Sequence, residues 1–317
     1  MAGKLAIVLS GGGAKGAFQV GVLEELVVHR KVRIDIFAGV STGAIQALGG
    51  AQDDVPGLVD AWRALRSNRD VYRERPLGIV GGLLGASSLY DASPIRARIR
   101  VFANEARLKA SGRKLLLGVV NLGTGAFRTI DESVLGIHDW VYASSAMPVY
   151  FQPLRTSDGG QWVDGGVRDV TPLDAAMEQN PRAVLVVTTS PMPPVAAPVR
   201  DYGSLVSIGL RAVGILQSEV VANDTGNAAL INALIAARAA QAGALRDAGV
   251  KGPAAKAILA PLDDEISRYR FAPIMILSPD REYSDTLEFD PAKISAAIAA
   301  GRKAVSDAWD RLEAFLA

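Results

Sequence analysis

The sequence predicts an α/β protein built on a central, mostly parallel sheet, and three observations carry that prediction. Short apolar runs at 5–9, 34–38, 115–120 and 183–187, interrupted only by Asp35, have strand length and no alternation, as strands buried on both faces do. The first two are each followed by a glycine-rich turn and then by apolar residues at helical spacing, so the chain opens as two consecutive βα units. With 317 residues, 49% hydrophobic and 21% charged, the chain can bury one large core.

The elements follow in order. After the first strand, Ser10-Gly11-Gly12-Gly13-Ala14-Lys15-Gly16 forms a loop, and Phe18, Val22, Leu23, Leu26 and Val27 mark a helix reaching His29. The second strand meets Gly39-Val40-Ser41-Thr42-Gly43, and Ala44, Ile45, Ala47 and Leu48 continue as a buried helix. Pro56 opens a helix whose apolar face is Leu58, Val59, Trp62 and Leu65. Residues 77–90 are apolar yet glycine-rich, and Ser93-Pro94 then starts a helix carrying Ile95, Ile99 and Phe102. Strands at 115–120 and 126–130 precede a short helix, the stretch Ala143-Ser144-Ser145-Ala146-Met147-Pro148, and a hairpin turning at Asp158-Gly159 that returns to Asp164-Gly165-Gly166. Thr171-Pro172 begins another helix before the strand at 183–187. Four prolines in 191–198 lead into a helical stretch at 202–241, while 244–260 is rich in small residues and carries no assignment. A strand at 274–277 and a final helix, capped by Asp290-Pro291 and striped with Ile294, Ile298, Val305, Trp309, Leu312 and Phe315, complete the chain. No repeat or linker divides it, so 1–317 reads as a single domain with a helical C-terminal part, 200–317.

Composition excludes several functions. A net charge of +1 argues against a nucleic-acid partner. Without cysteine there is no disulfide, thiolate metal site or cysteine nucleophile. The N-terminal apolar run is too short for a secretory segment, which predicts a cytoplasmic protein, and no uncharged apolar run reaches membrane-spanning length. Between Ala61 and Lys114, 12 Lys and Arg stand against four acids, a local charge of +8 around the apolar glycine-rich stretch. Residues 70–95 therefore read as a lid or membrane-facing segment able to touch an anionic lipid surface transiently, with solvated helix faces around a buried loop as the alternative.

The chemistry centres on Ser41. A serine at a sharp strand-to-helix turn has its hydroxyl lifted clear of the sheet, and Gly39 and Gly43 are needed because a side chain at either would collide with the crossing. The plainer reading is a helix-capping serine. The first loop also has two readings. Gly11, Gly13 and Gly16 match a dinucleotide fingerprint with Asp35 beyond it, but Asp35 stands at the start of the second strand, where a ribose-binding acid belongs at its end. Alternatively, the backbone N–H groups of Gly11, Gly12 and Gly13 form an oxyanion hole facing Ser41 across neighbouring strand ends. Of the two histidines, His29 lies in a basic helix end and His138 beside Asp139, and neither follows Asp164, so the usual serine, acid, histidine order is unavailable. A carboxylate held against the hydroxyl can serve as base instead. Asp164, at a strand end before two glycines, is the best candidate, while Asp158 reads as turn chemistry and Asp169 as a surface acid.

These motifs, taken together and in order, resemble those of patatin-like phospholipases: the Gly11 to Gly16 loop, the Gly39 to Gly43 elbow, Ala143 to Pro148, and Asp164-Gly165-Gly166. The resemblance covers residues 5 to about 190. It implies a three-layer α/β/α sandwich and a Ser-Asp dyad hydrolysing fatty-acyl esters of lipids, with Ser41 as nucleophile, Asp164 as base and the Gly11 to Gly13 amides as oxyanion hole. Lys15 stands where the family often has arginine. The expected activity is that of a phospholipase A or lysophospholipase on phospholipid or another fatty-acyl ester, needing no metal or nucleotide cofactor. Its rivals are an esterase or acyltransferase on soluble esters, a dinucleotide-dependent oxidoreductase, and a catalytically silent lipid-binding protein.

Overall fold

The computed structural model describes residues 3–75, 87–193, 201–267 and 272–316. Strand β1 (Leu5–Leu9) leads through a 3-10 turn (Gly13–Gly16) into α1 (Ala17–Leu23), whose last stretch winds on as a π-helix (Glu24–His29). The second unit is β2 (Ile36–Gly39) and α2 (Thr42–Ala51), followed by α3 (Val55–Arg63), which Asp54 caps by accepting the Gly57 N–H. Short strands β3 (Arg73–Glu74) and β4 (Tyr90–Asp91) pair antiparallel and so bring together the two ends of the stretch expected to be a lid. Residues 76–86 of that stretch lie outside the described residues. Helices α4 (Ser93–Phe102) and α5 (Glu105–Ser111) lead to β5 (Lys114–Asn121), β6 (Phe127–Asp131) and α6 (Ile137–Ser144). Then come β7 (Leu154–Arg155), β8 (Gln161–Asp164), α7 (Leu173–Met177) and β9 (Ala183–Val187).

The C-terminal part holds α8 (Leu205–Asp247), α9 (Gly252–Ile266), β10 (Ile274–Leu277), α10 (Pro291–Asp307) and α11 (Trp309–Leu316). The unassigned 244–260 thus splits between two helices, and the stripe expected on one final helix runs over two, divided at Ala308. Residues Ser207–Asp247 of α8 are long and apolar enough to cross a membrane by length and composition, with an 18-residue stretch of mean hydropathy 1.4 that is nowhere buried. The expectation that no such segment exists demanded an uncharged run, which Arg211, Glu219, Asp224 and Arg238 interrupt. Arg238 is paired in a fork with Asp263 of α9, its Nη2 at 2.9 Å.

The sheet has the order β10-β9-β1-β2-β5-β8-β7, with β6 also on β5. The five strands from β10 to β5 run parallel; β6 and β8 run against β5, and β7 against β8. Its two faces explain the unbroken apolar runs. Leu5, Ile7 and Leu9 enter one core with Phe18, Leu23, Leu48 and Leu58, while Ala6 and Val8 enter a second with Leu173, Ala176 and Val184. Period-two alternation sends successive side chains to opposite layers of helix, so both must be apolar. Each fully buried Leu, Ile or Phe contributes roughly 1.5–3 kcal/mol. On the first face α1 and α10 cross in backbone contact. A Cβ on Gly21 would meet the Ile298 carbonyl and one on Gly301 the Phe18 carbonyl, so no larger residue fits at that crossing.

Candidate active site

Ser41 stands at the N-cap position of α2 with no capping bond from its hydroxyl, at φ 59° and ψ −127°, a conformation that L-residues rarely adopt. Such a turn persists only where its surroundings over-determine it, and here hydroxyls from one end of α6 do so. Ser144 Oγ accepts the Ser41 N–H at 3.1 Å and donates to the Gly118 carbonyl at 2.7 Å. Ser145 Oγ donates to the Ser41 carbonyl at 3.0 Å, sharing its hydrogen with the Val141 carbonyl. The flanking glycines fill the role expected of them: a Cβ on Gly39 would strike the Gly43 carbonyl, and one on Gly43 the Leu9 carbonyl. Ser144 and Ser145 had been visible only as part of a motif with no assigned role. Nothing in the sequence says that two hydroxyls of α6 point at the peptide groups of a residue about a hundred positions earlier.

Strand topology brings Asp164 to Ser41. Strand β2 pairs with Lys114–Leu117 of β5 and ends at Gly39, opposite Leu117. Strand β6 occupies Leu116 to Val120, so β2 must lie on the other edge of β5. Strand β8 pairs with Val119, Val120 and Asn121, overlaps β6 in the same way, and therefore takes the edge that β2 has just left. Asp164 faces Val119, two residues or about 6.6 Å along β5 from the point where β2 turns into the elbow. The close packing depends on Gly165, whose Cβ would lie 2.5 Å from the Gly118 oxygen, the same carbonyl that receives Ser144.

The Asp164 carboxyl is buried, at 2% exposure. It accepts the Gly166 N–H at 2.8 Å and is hydrogen-bonded with the Ser41 hydroxyl. Burial raises its pKa from 3.8 to about 7, against the lowering effect of those two bonds. It is thus a carboxyl poised to exchange a proton near neutrality with the hydroxyl beside it.

The glycine loop lies against this pair, but not with all its amides free. A Cβ on Gly11 would be 3.2 Å from the Ser41 Cβ, so the loop and the elbow are neighbours. The Gly11 N–H, however, donates to the Val170 carbonyl at 3.0 Å, so of the three amides expected to form an oxyanion hole this one already has a backbone acceptor. Gly12 and Gly13 stand at the opening of the 3-10 turn, where the first N–H groups lack an acceptor within the helix, and both line the cavity that Ser41 opens into. Gly16 sits against the Thr42 and Gln46 side chains, closing the loop over the start of α2. Lys15 turns to Glu282, at 3.0 Å, and to Ser190, at 3.3 Å.

The remaining candidates sort out by position. Asp35 accepts the Leu5 N–H at 3.1 Å and pairs with Arg33, at the sheet edge where β1 and β2 begin and opposite the glycine loop. An acid there cannot reach a ribose bound at the loop, and the dinucleotide reading falls. Asp158 is turn chemistry, accepting the Gly160 N–H and the Thr156 hydroxyl. Asp169, expected to be a surface acid, is half-buried, and burial with the nearby charge of Asp224 raises it to about 7. His29 lies by Glu25 and His138 by Asp139, and neither lines the Ser41 cavity. That cavity runs from Ser41 between apolar side chains of α2, α3 and α4, including Ile45, Leu48, Trp62 and Phe102. Among the described residues no cluster of His, Asp and Glu could hold a metal ion.

Two curated proteins of Escherichia coli are similar: the uncharacterized protein YjjU of strain K12, 28% identical over 193 residues, with 60% of this chain and 53% of that protein covered; and a cGAMP-activated phospholipase of strain TW11681, 27% identical over 181 residues, with 50% and 51% covered. The chain thus spans about half the length of the curated relatives it matches. Among solved structures, VipD from Legionella pneumophila aligns over 98% of this chain and 67% of its own, with a TM-score of 0.46 and 16% identity. The sequence pattern of the family described as patatin-like phospholipase matches residues 7–177, which take in the glycine loop, the serine elbow, the paired serines of α6 and the Asp164 turn. That match extends over more than half of the chain, and the protein belongs to the patatin-like phospholipase family.

Proposed function

We propose that this protein is a lipid acyl hydrolase working through Ser41 and Asp164. The observation that carries the reading is the hydrogen bond between the Ser41 hydroxyl and a buried carboxyl raised to about 7, at the mouth of an apolar cavity. Asp164 takes the hydroxyl proton as Ser41 Oγ attacks the ester carbonyl, and the developing oxyanion rests on the Gly12 and Gly13 amides with the N-terminus of α2 behind. When the tetrahedral intermediate collapses, the ester C–O bond breaks and Asp164 returns its proton to the departing alkoxide. Water, deprotonated by Asp164, then attacks the acyl-enzyme and frees the acid and Ser41. The apolar cavity suits a fatty chain on the acyl side. Contact with a lipid surface through the basic surround of residues 70–95, in a cytoplasmic protein that meets membranes peripherally, belongs to the same proposal.

The test is fatty-acid release from mixed phospholipid micelles by wild type, Ser41→Ala and Asp164→Asn, each checked for folding. Loss of a positioned nucleophile or base lowers turnover by at least about a hundredfold. A folded, inactive wild type on both micelles and a short-chain ester would remove the proposal, and turnover of the soluble ester alone would favour the esterase rival.

A further inference from the structure

Two hollows meet at the dyad, and they divide it. The first is the cavity already described, into which Ser41, Gly12 and Gly13 open. The second lies on the Asp164 side: Asp164 and Gly166 line it, with Val149 and with Leu205, Val213 and Leu216 of α8. Met147 lines both. Among the described residues that line it, Asp164 alone carries a charged side chain. Val149, Leu205 and Leu216 are 66%, 69% and 67% exposed, so large apolar groups stand in water along this groove.

From this division, and resting on the acyl-hydrolase reading above, we infer that the substrate carries a long apolar chain on each side of the scissile bond, so that a diacyl lipid is cleaved in preference to its monoacyl counterpart. The chemistry sets the direction. The acyl carbon must bond Ser41 Oγ with its oxygen at Gly12 and Gly13, which puts the acyl chain in the first hollow. The proton that Asp164 took from Ser41 must go to the leaving alkoxide, so the alcohol half departs beside Asp164 into the second hollow. Polar alcohols such as glycerophosphocholine gain nothing from apolar walls there, whereas an alcohol that still bears a fatty chain buries it. Helix α8 lies beyond residues 7–177, so one wall of this second hollow is supplied by a part of the chain outside the family match.

The experiment compares kcat/KM for dipalmitoyl phosphatidylcholine and palmitoyl lysophosphatidylcholine at equal mole fraction in the same neutral-detergent micelles. Wild type should favour the diacyl lipid by at least about tenfold, the discrimination available to an apolar pocket. Val213→Trp, which fills the groove, and Leu216→Arg, at an exposed position that tolerates the change, should each lower the diacyl rate about tenfold more than the monoacyl rate. Ile45→Trp, in the first hollow, should lower both together. Equal or greater monoacyl cleavage by wild type, or an equal loss on both lipids in the two α8 variants, overturns the inference and leaves the hydrolase reading standing. Failure of folded wild type to cut either lipid or a short-chain ester overturns both.

Discussion

Replacing Asp164 by asparagine should abolish turnover and yet, at neutral pH and above, strengthen the fold. The carboxyl titrates near 3.8 when solvated and near 7 in its buried place. Between those values the folded chain holds a proton that the unfolded chain has lost, so stability falls as pH rises through that window. A gap of about three pH units at about 1.4 kcal/mol each makes the full cost about 4 kcal/mol by pH 8, of which about 2 kcal/mol is present at pH 5. Asparagine does not ionise, and its Oδ1 can keep the Gly166 N–H that Asp164 accepts at 2.8 Å. The stability of Asp164→Asn relative to wild type should therefore grow by about 2–3 kcal/mol from pH 5 to pH 8. Asp169 and Asp224, raised to about 7 and about 6, titrate in the same direction but are common to both proteins and cancel. Urea unfolding followed by circular dichroism at pH 5, 6, 7 and 8 measures the difference. A difference that stays constant with pH would refute the reasoning, since the carboxylate would then be as well solvated in the fold as out of it.

Two further predictions follow from the same geometry. Because the base must be unprotonated, kcat/KM should rise about tenfold per pH unit below pH 7 and level off above it, and a flat profile from pH 5 would exclude Asp164 as the group that titrates. Ser144→Ala takes from the Ser41 N–H and the Gly118 carbonyl the hydroxyl that each bonds, itself fully buried, which should cost about 1–3 kcal/mol of stability. With the elbow loosened, kcat should fall about tenfold while KM holds, as for an interaction felt mainly in the transition state; an unchanged kcat in the folded variant would mean that the elbow holds itself.

Much of the fold was legible because buried parallel strands write themselves as unbroken apolar runs. The stretches at 5–9 and 183–187 match β1 and β9, and the hairpin at Asp158-Gly159 lies between β7 and β8. The glycines of the elbow were legible too, since a collision that only glycine avoids leaves a one-letter trace. Three features were not. The Gly11 amide is lost to Val170, the α6 serines hold both peptide groups of Ser41, and α8 lines a groove beside Asp164. Each joins residues distant in the chain through a backbone group or an apolar face, and neither leaves a pattern in composition or spacing.

By itself, then, the sequence determined the class of fold and the chemical inventory: a serine on a sharp turn, glycines that bring backbone close to it, no cysteine, and no histidine after the acid. Only the tertiary structure decided that Asp164 meets Ser41. The two are 123 positions apart (164 − 41), and β5 brings them together by giving one edge first to β2 and then to β8. Only the tertiary structure, too, could bring that carboxyl's titration near neutrality, because burial, which a list of residues does not contain, raises it against its own hydrogen bonds.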